Sequence, residues 1–294
     1  MKKILLITDS NFVSKNFQDY VKINNIKEKI IVRSSYAISK NILKKIQKKE
    51  LSFCIVNFGL SGGIQYNIKN GNKILEKNVE GYLKILNFLK KEKIKNVYFI
   101  SASCVYPKNL RILREKDFGS SNFEKTSLHY AVSKMIGTYF CLNVNRERNY
   151  NWKSIVPATL YGKYYSNNKN DGHVINAFFE KFKKPKKNLT LWGSGKVKRE
   201  FLHIMDLIDA IFFIKQKKLG NEIINVGTGK DISIKKLAGI FSTIKNFKGR
   251  IIWDKTKADG VKKKLLDSKY ILSKGWRPRV DLKEGIKQLI KFYH

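Results

Sequence analysis

Apolar and polar positions alternate with two different periods along the first half of the chain. Residues 4–8, Ile-Leu-Leu-Ile-Thr, form a run too short for a helix and predict a strand. Behind it Phe12, Val13, Phe17, Tyr20 and Val21 recur at helical spacing. The pairing then repeats. Strands are predicted at 30–33, 53–57, 97–101 and 154–157, and helices over 38–49, 74–91 and 127–148. In the 74–91 helix, Leu75, Val79, Leu83, Leu86 and Leu89 define the expected buried face. Strands separated by crossover helices predict an α/β fold with a doubly wound parallel sheet and helices on both faces. Ligands of such sheets sit beyond the carboxyl ends of the strands. After Tyr161-Gly162 the rhythm breaks into loops and short elements, punctuated by Gly193, Gly195, Gly227 and Gly229. Two regions are therefore expected: 1–160, to which 199–227 returns, and a smaller C-terminal α/β region over 161–294 that binds substrate.

Composition narrows the picture. The chain has 294 residues, 43% of them hydrophobic, enough for a buried core and too many for a disordered chain. No apolar run approaches the ~18–20 residues that span a bilayer, so no membrane partner is expected. Met1-Lys2-Lys3 followed by Ile4 to Ile7 begins like a leader, but the apolar stretch stops at Thr8-Asp9-Ser10 and reads as a strand. Cys54, Cys104 and Cys141 are too few for a disulfide framework or a zinc site. No metal is expected, and a reducing cytoplasm fits best. Sixty basic residues against 23 acidic ones give a net charge of +37, which would suit a polyanionic partner. However, 51 of the 60 are Lys and only 9 are Arg, spread along the chain apart from a cluster at Lys181 to Lys187. Nucleic-acid readers favour Arg for bidentate contacts. A compositional bias toward Lys, Asn and Ile accounts for the charge, and no nucleic-acid partner is expected.

The strongest local chemistry is Tyr130-Ala131-Val132-Ser133-Lys134. Tyr and Lys at i and i+4 share a helix face, and a nearby ammonium lowers a phenol's pKa toward the range of a useful acid or base. Alone such a pair is common. Here it follows a strand and the segment Ser101-Ala102-Ser103-Cys104-Val105-Tyr106-Pro107, an order that resembles the extended short-chain dehydrogenase/reductase superfamily. Further stretches are similar to the GDP-L-fucose synthase family. They are Ser154 to Gly162, Gly172-His173-Val174-Ile175, Leu191-Trp192-Gly193-Ser194-Gly195, Arg199-Glu200-Phe201-Leu202-His203, Ile224 to Gly229, and Lys257 to Gly260 leading into Lys263 to Asp267. The similarity runs in register from the first strand to Trp276.

That resemblance implies a Rossmann-like nucleotide-binding body, NADP as cofactor, a GDP-linked 4-keto-6-deoxy sugar as substrate and a homodimer. It implies epimerisation at C3 and C5, then reduction of the C4 ketone. Tyr130 would protonate the C4 oxygen, with Lys134 holding the nicotinamide ribose and tuning the phenol. Cys104 and His173 would exchange protons on opposite faces of the sugar, chemistry a thiolate and an imidazole can perform beside a ketone. Arg199 and Lys264 would contact the diphosphate, Trp192 would line the nucleotide pocket, and Lys181 belongs to the same substrate set. Asn78 stands where the family often has Asn. Cys54 and Cys141 read as core, and His129 and His203 as structural.

Two features depart from the family. The first βα turn should carry three glycines that let the backbone approach a pyrophosphate, and here they are Thr8, Asn11 and Ser14, with the acidic Asp9 among them. The family's catalytic Ser is Ala102. Arg33, after the second strand, stands where an Arg would read the 2′-phosphate of NADP. Keeping the Cys–His and Tyr–Lys pairs while losing these features leaves two other readings open: an isomerase without hydride transfer, and a non-catalytic sugar-nucleotide binder.

Overall fold

The computed structural model describes residues 1–39, 43, 48–120, 122–147, 149–165, 174–183, 187–257 and 259–293. Five of the six strands of its main sheet come from the first 157 residues: β1 (Lys3–Ile7), β2 (Lys29–Arg33), β3 (Leu51–Val56), β4 (Asn96–Ile100) and β5 (Asn151–Pro157). The sixth, β9 (Ile223–Val226), comes from far downstream and pairs with β5. All pairs are parallel, in the order β2-β1-β3-β4-β5-β9.

Alternation along each strand divides the core. Ile4, Leu6, Phe53, Ile55, Tyr98 and Ile100 face one side. There they meet α1 (Asn11–Ile23) and α6 (Ile204–Lys217) through Val13, Phe17, Ile208 and Ile211. Leu5, Ile7, Cys54, Val56, Val97 and Phe99 face the other. That side is covered by α3 (Gly71–Lys91) and α4 (Leu128–Val144), with a short α2 (Ile64–Lys69) before α3. Cys54 and Cys141 are therefore core residues, and all three cysteines are free.

The order matters for function. From β1 the chain passes to β2 on one side, then crosses over to β3 on the other. The strand direction of travel thus reverses between β1 and β3, and the loops there splay apart at the carboxyl ends to leave a crevice.

The remaining elements form a second unit. β8 (Lys198–His203) pairs with β6 (Thr159–Tyr161), β10 (Asp231–Ser233) and β12 (Lys263–Lys264), and β7 (Asn188–Trp192) pairs with β11 (Arg250–Asp254). A separate aromatic core joins them to α5 (Val174–Lys183), α7 (Ile234–Ile244) and α9 (Leu282–Phe292), through Phe178, Phe182 and Phe241. A short α8 (Lys269–Ser273) precedes α9 and packs its Ile271 into the main core.

Two expectations change. Most of the helix expected over 38–49 lies outside the described residues, and its end, Lys48–Glu50, is a 3-10 turn leading into β3. In α3 the buried stripe is Ile74, Asn78, Tyr82, Ile85, Leu86 and Leu89, whereas Leu83 is exposed. The apolar pattern misled because Asn78 and Tyr82 are buried to hold a loop of the site. Among the described residues no helix is long and apolar enough to cross a membrane.

Candidate active site

A cleft of about 1190 Å³ opens at the carboxyl ends of the main sheet and continues onto the second unit. Ligand pockets commonly measure ~300–1,000 Å³, so there is room for more than one extended ligand.

Its centre is the turn after β4. Ser103–Val105 is a 3-10 turn that buries Cys104 at the cleft wall, and Tyr130 and Lys134 come up beside it from the first turns of α4. The Lys134 ammonium donates to the carbonyls of Ile100 (2.7 Å) and Phe58 (3.1 Å) and sits 4.9–5.7 Å from the ring centres of Phe99, Tyr82 and Tyr130. Burial pushes Lys134 down to about 7, and Cys104 nearby raises it again in part. Burial pushes the Cys104 thiol up to about 11, against the pull of Lys264 and Lys134. The Tyr130 phenol is raised by burial and by Cys104, and lowered by a hydrogen bond from the Ser61 hydroxyl. Thiol, phenol and ammonium thus sense one another at one point of the cleft.

Ser61 lies on the loop after β3, and four side chains pin that loop. Tyr82 donates to the Phe58 carbonyl (2.9 Å), which Lys134 also meets. Asn78 accepts from the Leu60 N–H (2.6 Å) and donates to the Leu60 carbonyl (2.9 Å), while Asn67 accepts from the Gly62 N–H (2.9 Å). Gly59, at φ +138°, lets the loop pass over Tyr82; a Cβ there would collide with the Tyr82 hydroxyl.

One end of the cleft is the amino terminus of α1. Asp9, Ser10, Asn11, Phe12 and Val13 line it, and the N-cap Ser10 makes no side-chain capping bond. The first-turn N–H groups are therefore available to an anion, and that turn holds no acidic residue. The Asp9 carboxylate is committed to Ser34 (2.6 Å) and to the N–H (2.9 Å) and hydroxyl (2.6 Å) of Ser35, after β2. An open helix terminus at a sheet crevice, beside a buried Tyr–Lys pair, fits the pyrophosphate and nicotinamide ends of a dinucleotide.

At the other end stand Trp192, Arg199 and Lys264. Lys264 pairs with Glu124 at 2.8 Å, and Arg199 donates to the carbonyls of Lys198 (2.7 Å) and Val261 (2.6 Å). Burial raises Glu124, but Lys264, the Thr126 hydroxyl and Arg199 outweigh it and hold the carboxyl below its usual range. Asp259 accepts from the N–H (2.9 Å) and hydroxyl (2.6 Å) of Ser194, which closes the Trp192–Gly195 turn at the rim. Trp192 is 62% exposed there, with the Lys257 ammonium 5.8 Å from its ring centre.

The residues singled out from sequence divide accordingly. Cys104, Tyr130, Lys134, Asn11, Trp192, Arg199 and Lys264 all line the one cleft. Thr8 is buried beneath it, its hydroxyl accepting from the Ser10 N–H (3.2 Å), and Ser14 lies one turn along α1. Arg33 turns back onto the Val32 carbonyl (2.7 Å), and Lys181 donates to the Thr190 carbonyl; neither lines the cleft. His173 lies outside the described residues. Ala102 lines the cleft but has no hydroxyl, and that of Ser101 accepts from Thr138 (3.2 Å). Ser61 and Glu124 carry no sequence signal: one is a lone Ser in a Gly-rich loop, the other pairs with a residue 140 positions away.

A switch-point cleft with an open helix terminus and a buried Tyr–Lys pair defines a nucleotide-dependent enzyme of the Rossmann type. The chain belongs to the NAD dependent epimerase/dehydratase family, whose profile matches residues 12–227. A GDP-L-colitose synthase of Yersinia pseudotuberculosis is 31% identical over 302 residues, 99% of this chain and 97% of that protein. A putative GDP-L-fucose synthase 2 of Arabidopsis thaliana is 32% identical over 237 residues, 79% of this chain and 72% of that one. Among solved structures, MlghC, a GDP-mannoheptose C4 reductase from Campylobacter jejuni with NADP bound, is alike in fold. Its TM-score is 0.85 at 23% identity, over 99% of this chain and 98% of that one.

Proposed function

We propose that this protein is an NADP-dependent GDP-sugar epimerase/reductase. In this reading it epimerises C3 and C5 of a GDP-4-keto-6-deoxy sugar and reduces the C4 ketone. One observation carries the reading: a single cleft runs from an open helix terminus, past Cys104 and the Tyr130–Lys134 pair, to the cations Arg199 and Lys264. Relatives named for GDP-L-fucose and GDP-L-colitose support the substrate class, and a neighbour with NADP bound supports the cofactor.

The residues divide the work by their chemistry. A C–H beside a ketone is acidic enough for the Cys104 thiolate to remove its proton, and His173 returns one from the opposite face. Arg199 and Lys264 hold the diphosphate, with Trp192 against the base. NADPH supplies the hydride. Tyr130 gives its proton to the C4 oxygen, and Lys134 stabilises the phenolate left behind. Free cysteines accord with the cytoplasm, and the exposed Leu83 and Tyr139 on the paired helices α3 and α4 give a homodimer its contact face.

NADPH fluorescence titration tests the reductase half. Saturable binding is expected, together with NADPH oxidation when GDP-4-keto-6-deoxymannose is added. Solvent deuterium exchange into the sugar without NADPH binding would leave an isomerase. Neither activity would leave a binder.

A further inference from the structure

We infer that Glu124 is an internal stand-in for the substrate's diphosphate: its carboxylate holds Lys264 in the free protein and competes with the diphosphate for that ammonium. This rests on the reading above in which Arg199 and Lys264 hold the diphosphate, and adds to it the residue that limits how tightly they do so.

Three carboxylates line the cleft among the described residues, and they are spent differently. Asp9 accepts from Ser34 and Ser35, and Asp259 from Ser194, so each ties down a loop at the rim. Glu124 alone of the three forms an ion pair: its Oε2 lies 2.8 Å from Lys264 Nζ. The Glu124 and Lys264 side chains are only 14% and 22% exposed, so water and salt screen the pair in part.

The other oxygen of the carboxylate faces the second cation. A Cβ at Gly260 would stand 3.4 Å from Glu124 Oε1 and 2.9 Å from Arg199 Nη2, so the two atoms flank one point that is open because residue 260 has no side chain. A carboxylate between the Lys264 ammonium and the Arg199 guanidinium occupies the place that an oxygen of a diphosphate held by both would take. The two anions cannot share it, since like charges a few ångströms apart repel in a partly buried site. Nor do the cations need Glu124 to bring them together. Lys264 and Arg199 are register partners on the paired strands β12 and β8, and Arg199 Nη1 is anchored on the carbonyls of Lys198 and Val261. Glu124, by contrast, lies outside any strand, just before the Lys125–Ser127 turn, so its carboxylate can withdraw while the sheet keeps both cations in place.

Titration calorimetry with GDP compares wild type, Glu124→Gln, Lys264→Met and the double variant. GDP should bind Glu124→Gln about tenfold tighter than wild type, and Lys264→Met more weakly. In the Lys264→Met background the Gln substitution should lose most of its effect, because the ammonium under competition is gone. Glu124→Asp, which draws the carboxylate back by one methylene, should show a smaller gain, and it keeps the test readable if the Gln variant does not fold. Equal or weaker GDP binding by Glu124→Gln and Glu124→Asp overturns the inference, and so does a gain that persists undiminished without Lys264. If Lys264→Met binds GDP as wild type does, the diphosphate reading fails instead.

Discussion

At the scale of single residues the site turns on how far burial has moved its titrating groups. With the Cys104 thiol at about 11, roughly one molecule in 10⁴ carries a thiolate at neutral pH. Exchange of solvent deuterium into a 4-keto sugar should therefore rise close to tenfold per pH unit between pH 6.5 and 8.5. A flat profile across that range would mean that Cys104 is not the base. Tyr130 and Lys134 were legible because a spacing of four puts them on one helix face, and Cys104 because it stands in a stretch that carries the family resemblance. The loop over Gly59–Gly63 was illegible as part of the site, since its place depends on Asn78 and Asn67 gripping Leu60 and Gly62 rather than on any spacing of its own. Arg33 was legible as a charge at a strand end, but its guanidinium settles on the Val32 carbonyl.

At the scale of elements, the stretches that carried the family resemblance are largely knots between distant segments. Tyr106 donates to Asn225 (2.7 Å), whose amide donates in turn to Leu113 (2.9 Å) and Asp267 (3.2 Å). Glu200 accepts from the N–H groups of Gly229 (2.7 Å) and Leu266 (2.9 Å). These ties bind β4, β9, β8 and β12 together and fix the cleft walls. Strand and helix order was readable from apolar periodicity; the knots were not, because each joins residues tens to more than a hundred positions apart. Asp209 is a similar tie, accepting from Tyr20 (2.8 Å) and Trp276 (2.9 Å). Asp209→Ala leaves both donors without their partner. It should cost about 2–4 kcal/mol in urea unfolding while leaving NADPH affinity intact. An unchanged midpoint would show that the tie contributes nothing.

At the scale of the whole molecule, one buried histidine should shape the pH dependence of folding. His203 caps α6 by accepting from the Met205 N–H (3.3 Å), and burial pushes it down to about 4. An unfolded chain binds that proton near 6.5, so between pH 6.5 and 4 the unfolded state holds more protons and stability falls as pH drops. Above pH 6.5 the contribution is fully present; across the window its loss amounts to about 3 kcal/mol. His203→Gln should make that fall shallower in urea titrations at pH 7 and 4.5, and an equally steep fall would assign it to other groups.

The central claim is that one sugar ring meets both Cys104 and Tyr130 in one cleft, each serving a different half of the reaction. Incubating GDP-4-keto-6-deoxymannose and NADPH in deuterium oxide with Cys104→Ser and Tyr130→Phe, and following the sugar by NMR, tests it most directly. The expected result is a split: Cys104→Ser loses deuterium exchange, whereas Tyr130→Phe keeps exchange and loses reduction. Exchange and reduction both surviving in both variants would contradict the account.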